Sequence, residues 1–257
     1  MNDILLKVEH VSKKFKLNNQ ITITALNDVS FSLKRGEIFG LAGQSGCGKS
    51  TLARIIAGIY PPSSGNIYFE KNNIIKNNLS YKERASKIQL IFQNTGAALN
   101  PKMTVREILS EPLSIHKCFQ SANELNDKIN DLLLQTGLTP DFSSFYPDEL
   151  SGGQKQRLNI ARALALSPKL IIADEPISSL DISMQAQIIN LFMELQQKNN
   201  FSCLFIAHDL NLLRFICNRI GIMYKGNMLE IASSEDLFTN PRHDYTKSLL
   251  SAIQSII

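Results

Sequence analysis

The chain opens with apolar and polar residues in alternation. Runs of this kind lie at Leu5–Val11, Ile21–Leu26 and Val29–Leu33. A period of two places successive side chains on opposite faces of a strand, and closely spaced runs favour antiparallel pairing. The first part of the chain is therefore predicted to form an antiparallel β-sheet.

Short, continuously apolar runs follow, and each ends at polar or glycine residues. The clearest are Glu37–Ala42, Leu170–Ala173 and Cys203–Ala207, and between them apolar residues recur at every third or fourth position. Buried strands that alternate with amphipathic helices are typical of an α/β core. Ile220–Tyr224 and Met228–Ile231 are predicted to form a final hairpin.

Residues 104–166 are predicted to be mainly helical. Thr104–Glu107 and Ser121–Glu124 both fit the capping-box pattern, and Ser151 is the predicted N-cap of a further helix. The tail is also predicted to be helical after Pro241. The expected fold class is therefore α/β, with an antiparallel β subdomain and an inserted α-helical subdomain.

Composition excludes several classes of protein. The net charge is +4, and no Lys/Arg-rich run indicates nucleic-acid binding. No apolar run reaches the roughly 18 residues of a membrane span, and we expect no signal peptide. Four cysteines show no paired spacing, so neither a zinc site nor a disulfide framework is expected, and a reduced cytosolic setting fits best. These cysteines are Cys47, Cys118, Cys203 and Cys217.

One stretch carries the strongest chemical signal. Gly43–Thr51 reads Gly-Gln-Ser-Gly-Cys-Gly-Lys-Ser-Thr and fits the G-x-x-x-x-G-K-[ST] pattern of a phosphate-binding loop. Glycines let successive N–H groups point at a triphosphate, and the following helix offers its positive end. Lys49 would contact the β- and γ-phosphates, and the Ser50 hydroxyl would ligate Mg²⁺.

The flanks of this loop support the prediction. An apolar strand precedes it, and after it apolar residues repeat at helical spacing as far as Ile59. This helix is expected to continue until Pro61 and Pro62 stop it. The predicted nucleotide-binding residues of the loop are Gly43, Gln44, Ser45, Gly46, Cys47, Gly48, Lys49, Ser50 and Thr51.

A pair of acids follows the apolar run Leu170–Ala173. Acidic residues at the carboxyl end of a strand reach the ligand crevice of an α/β sheet. Asp174 would hold Mg²⁺ through its water shell, and Glu175 would polarise the attacking water. Two adjacent acids are a weak signal alone, but together with the phosphate-binding loop they indicate nucleotide hydrolysis.

Residues 150–157 read Leu-Ser-Gly-Gly-Gln-Lys-Gln-Arg and match the signature of ATP-binding cassette (ABC) ATPases. The Ser151 hydroxyl and the N–H groups of Gly152 and Gly153 lie at a predicted helix N-terminus, which can bind a γ-phosphate. With the two preceding motifs, the chain resembles ABC ATPases over nearly its whole length. The resemblance implies a P-loop ABC ATPase core that uses ATP and Mg²⁺.

The resemblance assigns further residues by position. Phe15 matches the aromatic that stacks on adenine, although a lone aromatic is otherwise more often a core residue. Gln93 matches the Q-loop glutamine, Ser178–Asp181 the D-loop, and His208 the switch histidine that contacts the γ-phosphate. The implied catalytic residues are Lys49, Gln93, Glu175 and His208. The implied metal ligands are Ser50, Gln93 and Asp174. The nucleotide contacts implied beyond the loop are Phe15, Ser151, Gly152, Gly153, Gln154 and Asp181.

Two segments narrow the resemblance. Asn100–Val105 looks like the L-N-P-R-M-T-V run of the peptide/nickel importer ATPases, and Asn240–Ile253 is similar to their tail, where H-P-Y-T is usual. Asn94 and Thr95 stand where that family often has Asp-Pro, and Asp244 replaces the proline. The tail has no cysteine cluster, so no iron–sulfur centre is expected.

The resemblance implies a single ABC ATPase domain over residues 1–257. Its nucleotide-binding α/β core would comprise 1–93 and 163–232, and its helical signature subdomain would comprise 94–162. Residues 233–257 would form a C-terminal helical extension.

The implied function is that of the ATP-hydrolysing subunit of an importer for peptides or chelated metals such as nickel. The expected partners are two membrane-spanning permease subunits, a second identical or homologous ATPase in a head-to-tail pair, and, indirectly, an extracytoplasmic solute-binding protein. No nucleic acid is expected. The chain would lie at the cytoplasmic face of the cell membrane, as a peripheral protein. The alternatives are a soluble, non-transport ABC ATPase and an exporter subunit.

A groove that receives the permease subunits is expected near Gln93–Val105. Leu99 is predicted to lie in this groove, so an aspartate there would have to be desolvated against the partner helix.

Overall fold

A computed structural model describes residues 3–18, 21–76, 80–93 and 95–254 of the chain. Asn94 and the last three residues of the expected C-terminal extension therefore lie outside the described residues. The strands are β1 (Ile4–Asn18), β2 (Ile21–Lys34), β3 (Ile38–Ala42), β4 (Ser64–Phe69), β5 (Asn72–Asn73), β6 (Ile88–Ile91), β7 (Leu170–Asp174), β8 (Ser202–Ile206), β9 (Arg219–Tyr224) and β10 (Asn227–Ser233). The helices are α1 (Lys49–Ala57), α2 (Tyr81–Lys87), α3 (Thr95–Ala98), α4 (Val105–Ile115), α5 (Ala122–Gln135), α6 (Gly152–Leu164), α7 (Ile182–Asn199), α8 (Leu210–Ile216), α9 (Ser234–Thr239) and α10 (Asp244–Gln254).

The chain forms two compact units. The first comprises Met1–Tyr81 and Ser202–Ile257, and the second comprises Lys82–Phe201. Among the helices that the structure describes, none combines the length and the apolarity that crossing a membrane requires. The expected subdivision at residues 94, 162 and 233 stays a prediction.

An antiparallel sheet in the first unit confirms the prediction from the alternating runs. Its strands lie in the order β2-β1-β4-β5. Val8 in β1 pairs with Phe31 of β2 on one side and with Ile67 of β4 on the other. All three side chains are buried, because the period of two places every second residue on the same face.

The second group of strands in this unit has β3 between two hydrogen-bonded neighbours. Parallel neighbours β8 and β9 flank β3, and β10 pairs with β9 in antiparallel fashion around Lys225 and Gly226, which confirms the predicted hairpin. All five residues of β3 are buried, as its continuous apolar sequence predicts. The phosphate-binding loop begins directly after the carboxyl end of β3, at Gly43.

Helix α1 ends earlier than the sequence indicates. Gly58 has a left-handed backbone (φ 87°), and its N–H donates to the carbonyls of Arg54 and Ile55. A glycine in this conformation terminates a helix because it carries no Cβ penalty. The prediction that the helix continues to Pro61 and Pro62 is therefore wrong, and Ile59 lies beyond the helix with 39% of its surface exposed.

The second unit contains the parallel pair β6–β7, all of α2 but its first residue, and helices α3 to α7. Thr104 forms the complete predicted capping box with Glu107. Ser121 forms only half of its box: its hydroxyl accepts from the N–H of Glu124, whereas the Glu124 carboxylate accepts from the N–H of Gln120. The prediction of a reciprocal box at Ser121 is therefore wrong.

Leu99 does not line an open groove. Only 2% of its surface is exposed, and the carbonyl of the preceding residue, Ala98, accepts a hydrogen bond from Arg162 of α6. The segment is thus packed against the signature helix of its own unit. A short apolar run in the sequence does not show whether a residue is buried by its own chain or exposed for contact with a partner protein. The prediction that Leu99 lies in a docking groove is wrong.

We therefore expect Leu99→Asp to destabilise the protein strongly. A carboxylate that replaces a buried leucine loses the apolar contacts and needs desolvation, so the free energy of unfolding should fall by more than about 3 kcal/mol. Thermal denaturation followed by circular dichroism measures this change. Leu99→Met, which conserves the volume, is the control and should cost less than about 1.5 kcal/mol. An unchanged melting temperature for Leu99→Asp would instead support the hypothesis that Leu99 lies in an open groove.

Candidate functional site

The phosphate-binding loop in the first unit depends on glycine at two positions. Gly43 (φ 148°) and Gly48 (φ 110°) have backbone conformations that other residues rarely adopt. A Cβ at position 43 would lie 2.2 Å from the carbonyl oxygen of Met223, and one at position 48 would lie 2.5 Å from that of Ala25. Both obstacles are backbone atoms of neighbouring strands, so a larger residue has no room to shift.

Lys49 is the buried charge of this loop. Only 5% of its surface is exposed, and its ammonium donates to the carbonyl of Gly43 at 2.6 Å and to that of Gln44 at 3.2 Å. A buried cation requires such oxygen partners because desolvation is costly. A phosphate oxygen is a stronger acceptor than a neutral carbonyl, so the same ammonium is suited to bind a polyphosphate.

The N-terminus of α1 is suited to bind an anion. Gly48 precedes the helix, and within the described residues no side chain caps it and no acidic residue lies in its first turn. The first N–H groups of a helix lack partners inside the helix and carry partial positive charge. The predicted contact residues Gln44, Ser45 and Gly46 are exposed, whereas Gly43, Cys47 and Lys49 are buried and Gly48, Ser50 and Thr51 are half-buried.

Phe15 lies half-exposed on β1, beside two residues that the sequence did not indicate. The ring of Tyr60 meets it edge-on, with centroids 5.7 Å apart, and the Lys13 ammonium lies 5.0 Å from its centroid. Lys13 also donates to the carbonyl of Pro61 at 2.6 Å. These contacts fix the Phe15 ring, so that it can serve as a platform for a base.

The second unit holds the acidic pair and the glutamine. Asp174 ends β7 and is buried, while Glu175 has a left-handed backbone (φ 47°) that is strained for a residue with a Cβ. The Gln93 amide nitrogen donates to a Glu175 carboxylate oxygen at 2.9 Å. The structure thus brings together two residues that are 82 positions apart, and the Gln93 amide oxygen remains as an acceptor or cation ligand.

The signature and the D-loop form two capped helix N-termini in the same unit. The Ser151 hydroxyl accepts from the N–H of Gln154, and the Gln154 amide oxygen accepts from the N–H of Ser151, which completes a capping box. Ser151 and Gly152 are exposed, and Gly153 is buried; a Cβ there would lie 2.2 Å from the terminal methyl of Met184, a flexible side chain that would have to move.

Asp181 of the D-loop caps α7. Its carboxylate accepts from the Ser183 hydroxyl at 2.7 Å and from the N–H of Met184 at 2.9 Å. These two hydrogen bonds lower the pKa of Asp181 below its usual value because they favour the ionised form. Asp181 therefore stays a carboxylate at neutral pH.

His208 follows β8 in the first unit, where its side chain is exposed. The next residue, Asp209, caps α8 by accepting from the N–H groups of Asn211 and Leu212. Each unit therefore presents its own set of predicted residues. The loop, Phe15 and His208 belong to the first unit, and Gln93, the acidic pair, the signature and Asp181 belong to the second.

The sequence prediction missed three side chains next to the predicted residues. Lys13 shares a strand face with Phe15 because it lies two positions away, and this signal was available in the sequence. Tyr60 follows the unexpected end of α1. The ring of Tyr245 lies against that of Tyr224 at an angle of 37°. Tyr245 also lies near Gln44 of the loop, which is 201 positions away in the sequence, so no local pattern reveals this proximity.

A glycine-dependent loop that joins a buried parallel strand to a helix N-terminus defines a P-loop nucleotide-binding protein of the α/β class. Comparison with known proteins narrows this class. The family described as ABC transporter matches residues 26–178. The chain belongs to the ABC transporter family, as an ATP-hydrolysing cassette.

Relatives match the chain over nearly its whole length. It is 47% identical over 252 residues to a putative oligopeptide transport ATP-binding protein, YkfD of Bacillus subtilis, covering 97% of this chain and 76% of the relative. It is 42% identical over 253 residues to the dipeptide transport ATP-binding protein DppF of Haemophilus influenzae, covering 98% of this chain and 77% of the relative.

Solved structures share the fold. The dimeric post-hydrolysis state of the ATP-binding cassette MJ0796, bound to ADP and Pi, has a TM-score of 0.80 at 31% identity and covers 89% of this chain and 98% of that chain. CbiO1 from Clostridium perfringens, part of the ABC transporter complex cbiONQ, has a TM-score of 0.80 at 25% identity and covers 99% of this chain and 97% of that chain. The predicted fold class and family are thereby confirmed.

We expect Phe15→Ala to weaken the binding of ATP by removing the contact with its adenine base, without weakening contacts with its phosphates. Base–aromatic stacking contributes about 1–3 kcal/mol, so the ATP dissociation constant should rise about fivefold or more. Inorganic tripolyphosphate has no base and should bind equally well to both proteins. Isothermal titration calorimetry measures both ligands.

Phe15→Trp is the matched control, since it keeps a π-face and should retain ATP affinity. Equal losses for ATP and for tripolyphosphate would assign Phe15 to the core of the unit instead of to a base platform.

Proposed function

We propose that this chain hydrolyses ATP to energise the import of peptides by an ABC transporter. The observation that supports the cargo is the identity of 47% over 97% of the chain to a putative oligopeptide transport ATP-binding protein. The related dipeptide transport ATP-binding protein supports the same class of cargo. These relatives do not favour the alternatives of a non-transport ATPase or an exporter subunit. Chelated nickel, the other cargo that the sequence suggested, has no comparable support.

The first unit binds the nucleotide in this proposal. The ammonium of Lys49 exchanges a loop carbonyl for phosphate oxygens, and the uncapped N-terminus of α1 donates its N–H groups to the same anion. Phe15 stacks on the adenine ring, and His208 contacts the γ-phosphate. The first unit thus contacts ATP both at its adenine ring and at its phosphates.

The second unit supplies the hydrolytic groups. Glu175 accepts a proton from the water that attacks the γ-phosphorus, which yields ADP and inorganic phosphate. The amide of Gln93 holds the Glu175 carboxylate in place through its 2.9 Å hydrogen bond. This single contact is the geometric observation that supports hydrolysis, since it orients the carboxylate before any substrate arrives.

The donor atoms fit Mg²⁺, the ion that accompanies ATP. Ser50 offers a hydroxyl oxygen, Asp174 a carboxylate and Gln93 its amide oxygen, and oxygen donors are what Mg²⁺ prefers. Within the described residues, no group of three or more His, Cys, Asp or Glu side chains is arranged so that it could hold a metal ion. Few protein ligands suit Mg²⁺, which usually keeps water and substrate phosphates as its other ligands, and the ion neutralises phosphate charge when bound.

A second ATPase completes each site in this proposal. Ser151, Gly152, Gly153 and Gln154 lie at a helix N-terminus that can bind the γ-phosphate held by a partner chain, and Asp181 lies at the start of the neighbouring helix in sequence. The related cassette MJ0796 is dimeric in its ADP-bound structure. The partner is an identical or a homologous ATPase in a head-to-tail pair.

The remaining partners follow from the proposed transport function. Two membrane-spanning permease subunits bind the ATPase pair, and an extracytoplasmic solute-binding protein delivers the peptide to them. The chain therefore lies at the cytoplasmic face of the cell membrane as a peripheral protein.

We expect Glu175→Gln to bind ATP without hydrolysing it. The amide keeps the size of the side chain but does not accept the proton of the attacking water, whereas Lys49 and the loop are unchanged. Phosphate release by the assembled transporter should fall at least about a hundredfold, in the range typical of a lost general base. In gel filtration with ATP, the mutant chain and its partner ATPase should remain paired.

Lys49→Ala is the matched comparison, because it removes the cation that binds the phosphates. Its ATP dissociation constant should rise at least about tenfold, since charge-assisted hydrogen bonds are lost. Phosphate release at the unmutated rate from Glu175→Gln would exclude Glu175 as the general base.

Uptake in cells tests the cargo. Cells that lack this chain should lose the uptake of radiolabelled tripeptides, and expression of the unmutated chain, but not of Glu175→Gln, should restore it. Uptake of a nickel chelate, measured in parallel, should be unaffected. Loss of nickel uptake with normal peptide uptake would overturn the proposed cargo, and normal uptake of both would overturn the proposed role in their import.

A further inference from the structure

The C-terminal helix of the chain is anchored to the hairpin that lies behind the phosphate-binding loop. Glu230 of β10 is 8% exposed, and its two carboxylate oxygens accept from the N–H groups of Arg242 at 2.8 Å and His243 at 3.0 Å. Burial raises the pKa of Glu230, but the nearby Thr246 hydroxyl and these two N–H groups outweigh it and lower the pKa. The ionised carboxylate therefore fixes the two residues that directly precede α10.

This anchor places Tyr245 against the end of β9. The rings of Tyr245 and Tyr224 lie 4.3 Å apart, centroid to centroid, with 37° between their planes. The residue before Tyr224 is Met223, whose carbonyl oxygen crowds Gly43 of the loop. Two positions beyond Tyr224, the N–H of Gly226 donates to the carbonyl of Cys47 at 2.9 Å. The segment against which Tyr245 packs, residues 223–226, is thus in direct contact with the phosphate-binding loop.

The hydroxyl of Tyr245 itself points to the loop. It is buried and lies close to the backbone N–H of Gln44, yet it forms no hydrogen bond of standard geometry with any residue that the structure describes. A phenol is protonated at neutral pH, and burial raises the pKa of Tyr245 further above its usual value. A buried hydroxyl without a partner is unfavourable, and a small movement of Gln44 would satisfy it.

We propose that Tyr245 is a positioning residue for the phosphate-binding loop, whose hydroxyl oxygen accepts from the N–H of Gln44 when the loop closes on the phosphates of ATP. Its ring holds Tyr224 and the adjoining turn in the position that supports Gly43 and Cys47. The C-terminal helix is then part of the nucleotide site. This inference rests on the proposed binding of ATP phosphates by the loop.

The physical reason is pre-organisation. The loop binds phosphate with backbone N–H groups, so its affinity depends on how many backbone conformations it loses on binding. Tyr245 lies beside the Gln44–Cys47 turn, in which the side chains of Gln44 and Ser45 are exposed. Lys49 supplies the charge, and Tyr245 restricts the backbone around it.

Calorimetric titration of the purified chain with ATP tests the inference through two variants. Tyr245→Phe keeps the ring and removes the hydroxyl, and it should raise the ATP dissociation constant about fivefold, the value of one hydrogen bond. Tyr245→Ala also removes the ring and should raise the constant about tenfold or more. In the assembled transporter, both should raise KM for ATP and leave kcat near its original value.

Ser248→Ala is the control on the same helix. Its hydroxyl is exposed and donates to the carbonyl of Asp244 within the helix, so its loss should leave the ATP dissociation constant unchanged. A purely structural role of Tyr245 would instead lower the number of binding sites per chain and kcat, while the affinity of the remaining folded molecules stays the same.

Two results overturn the inference. One is an unchanged dissociation constant for Tyr245→Phe, whatever Tyr245→Ala shows, because the inference depends on the hydroxyl. The other is a loss of affinity in Ser248→Ala equal to that in Tyr245→Phe. Lys49→Ala separates this failure from a failure of the proposed function, because normal ATP binding by that variant would remove the loop itself from the site. If Tyr245→Ala does not fold, Tyr245→Phe decides.

Discussion

The hydrogen bonds from the buried ammonium of Lys49 to the carbonyls of Gly43 and Gln44 are the interactions on which the first unit's site depends. A buried cation needs oxygen partners, and a loop that curls back on its own lysine provides them. That curl needs glycine at positions 43 and 48, because strands β9 and β2 leave no room for a Cβ. The conformation of the loop is therefore restricted jointly by the charge of Lys49, by the two glycines and by the neighbouring strands.

The helix N-termini of the chain differ in a way that agrees with their proposed roles. Side chains of Ser151, Asp181 and Asp209 cap α6, α7 and α8, so each of these helices has an acceptor for its first N–H groups. Helix α1 is preceded by Gly48, which has no side chain to supply an acceptor. An external anion is a favourable acceptor for uncapped N–H groups, and the loop lysine adjoins them. The serine of the signature is already engaged with Gln154, so a phosphate there competes with an existing hydrogen bond.

Much of the fold was predictable because local patterns determine it. Alternating runs gave the antiparallel sheet, and apolar runs gave the parallel strands, since both reflect which faces are buried. The end of α1 was missed because Gly58 stops the helix before the prolines do. Leu99 was misplaced because apolarity alone does not tell whether the residue is covered by its own chain. Tyr245 was not found because its neighbours Tyr224 and Gln44 are distant in sequence.

The obstacle at Gly43 has a consequence for how the sequence can vary. The atom that excludes a side chain there is the main-chain oxygen of Met223, and β9 is held at this residue by its pairing with Met228 of β10. A main-chain oxygen is present whatever amino acid occupies position 223. No exchange at that position can therefore compensate for a larger residue at position 43, and the two positions are free to evolve without covariation. The requirement for glycine at position 43 therefore depends on where the backbone of the β9–β10 hairpin runs, and not on which side chains the hairpin carries.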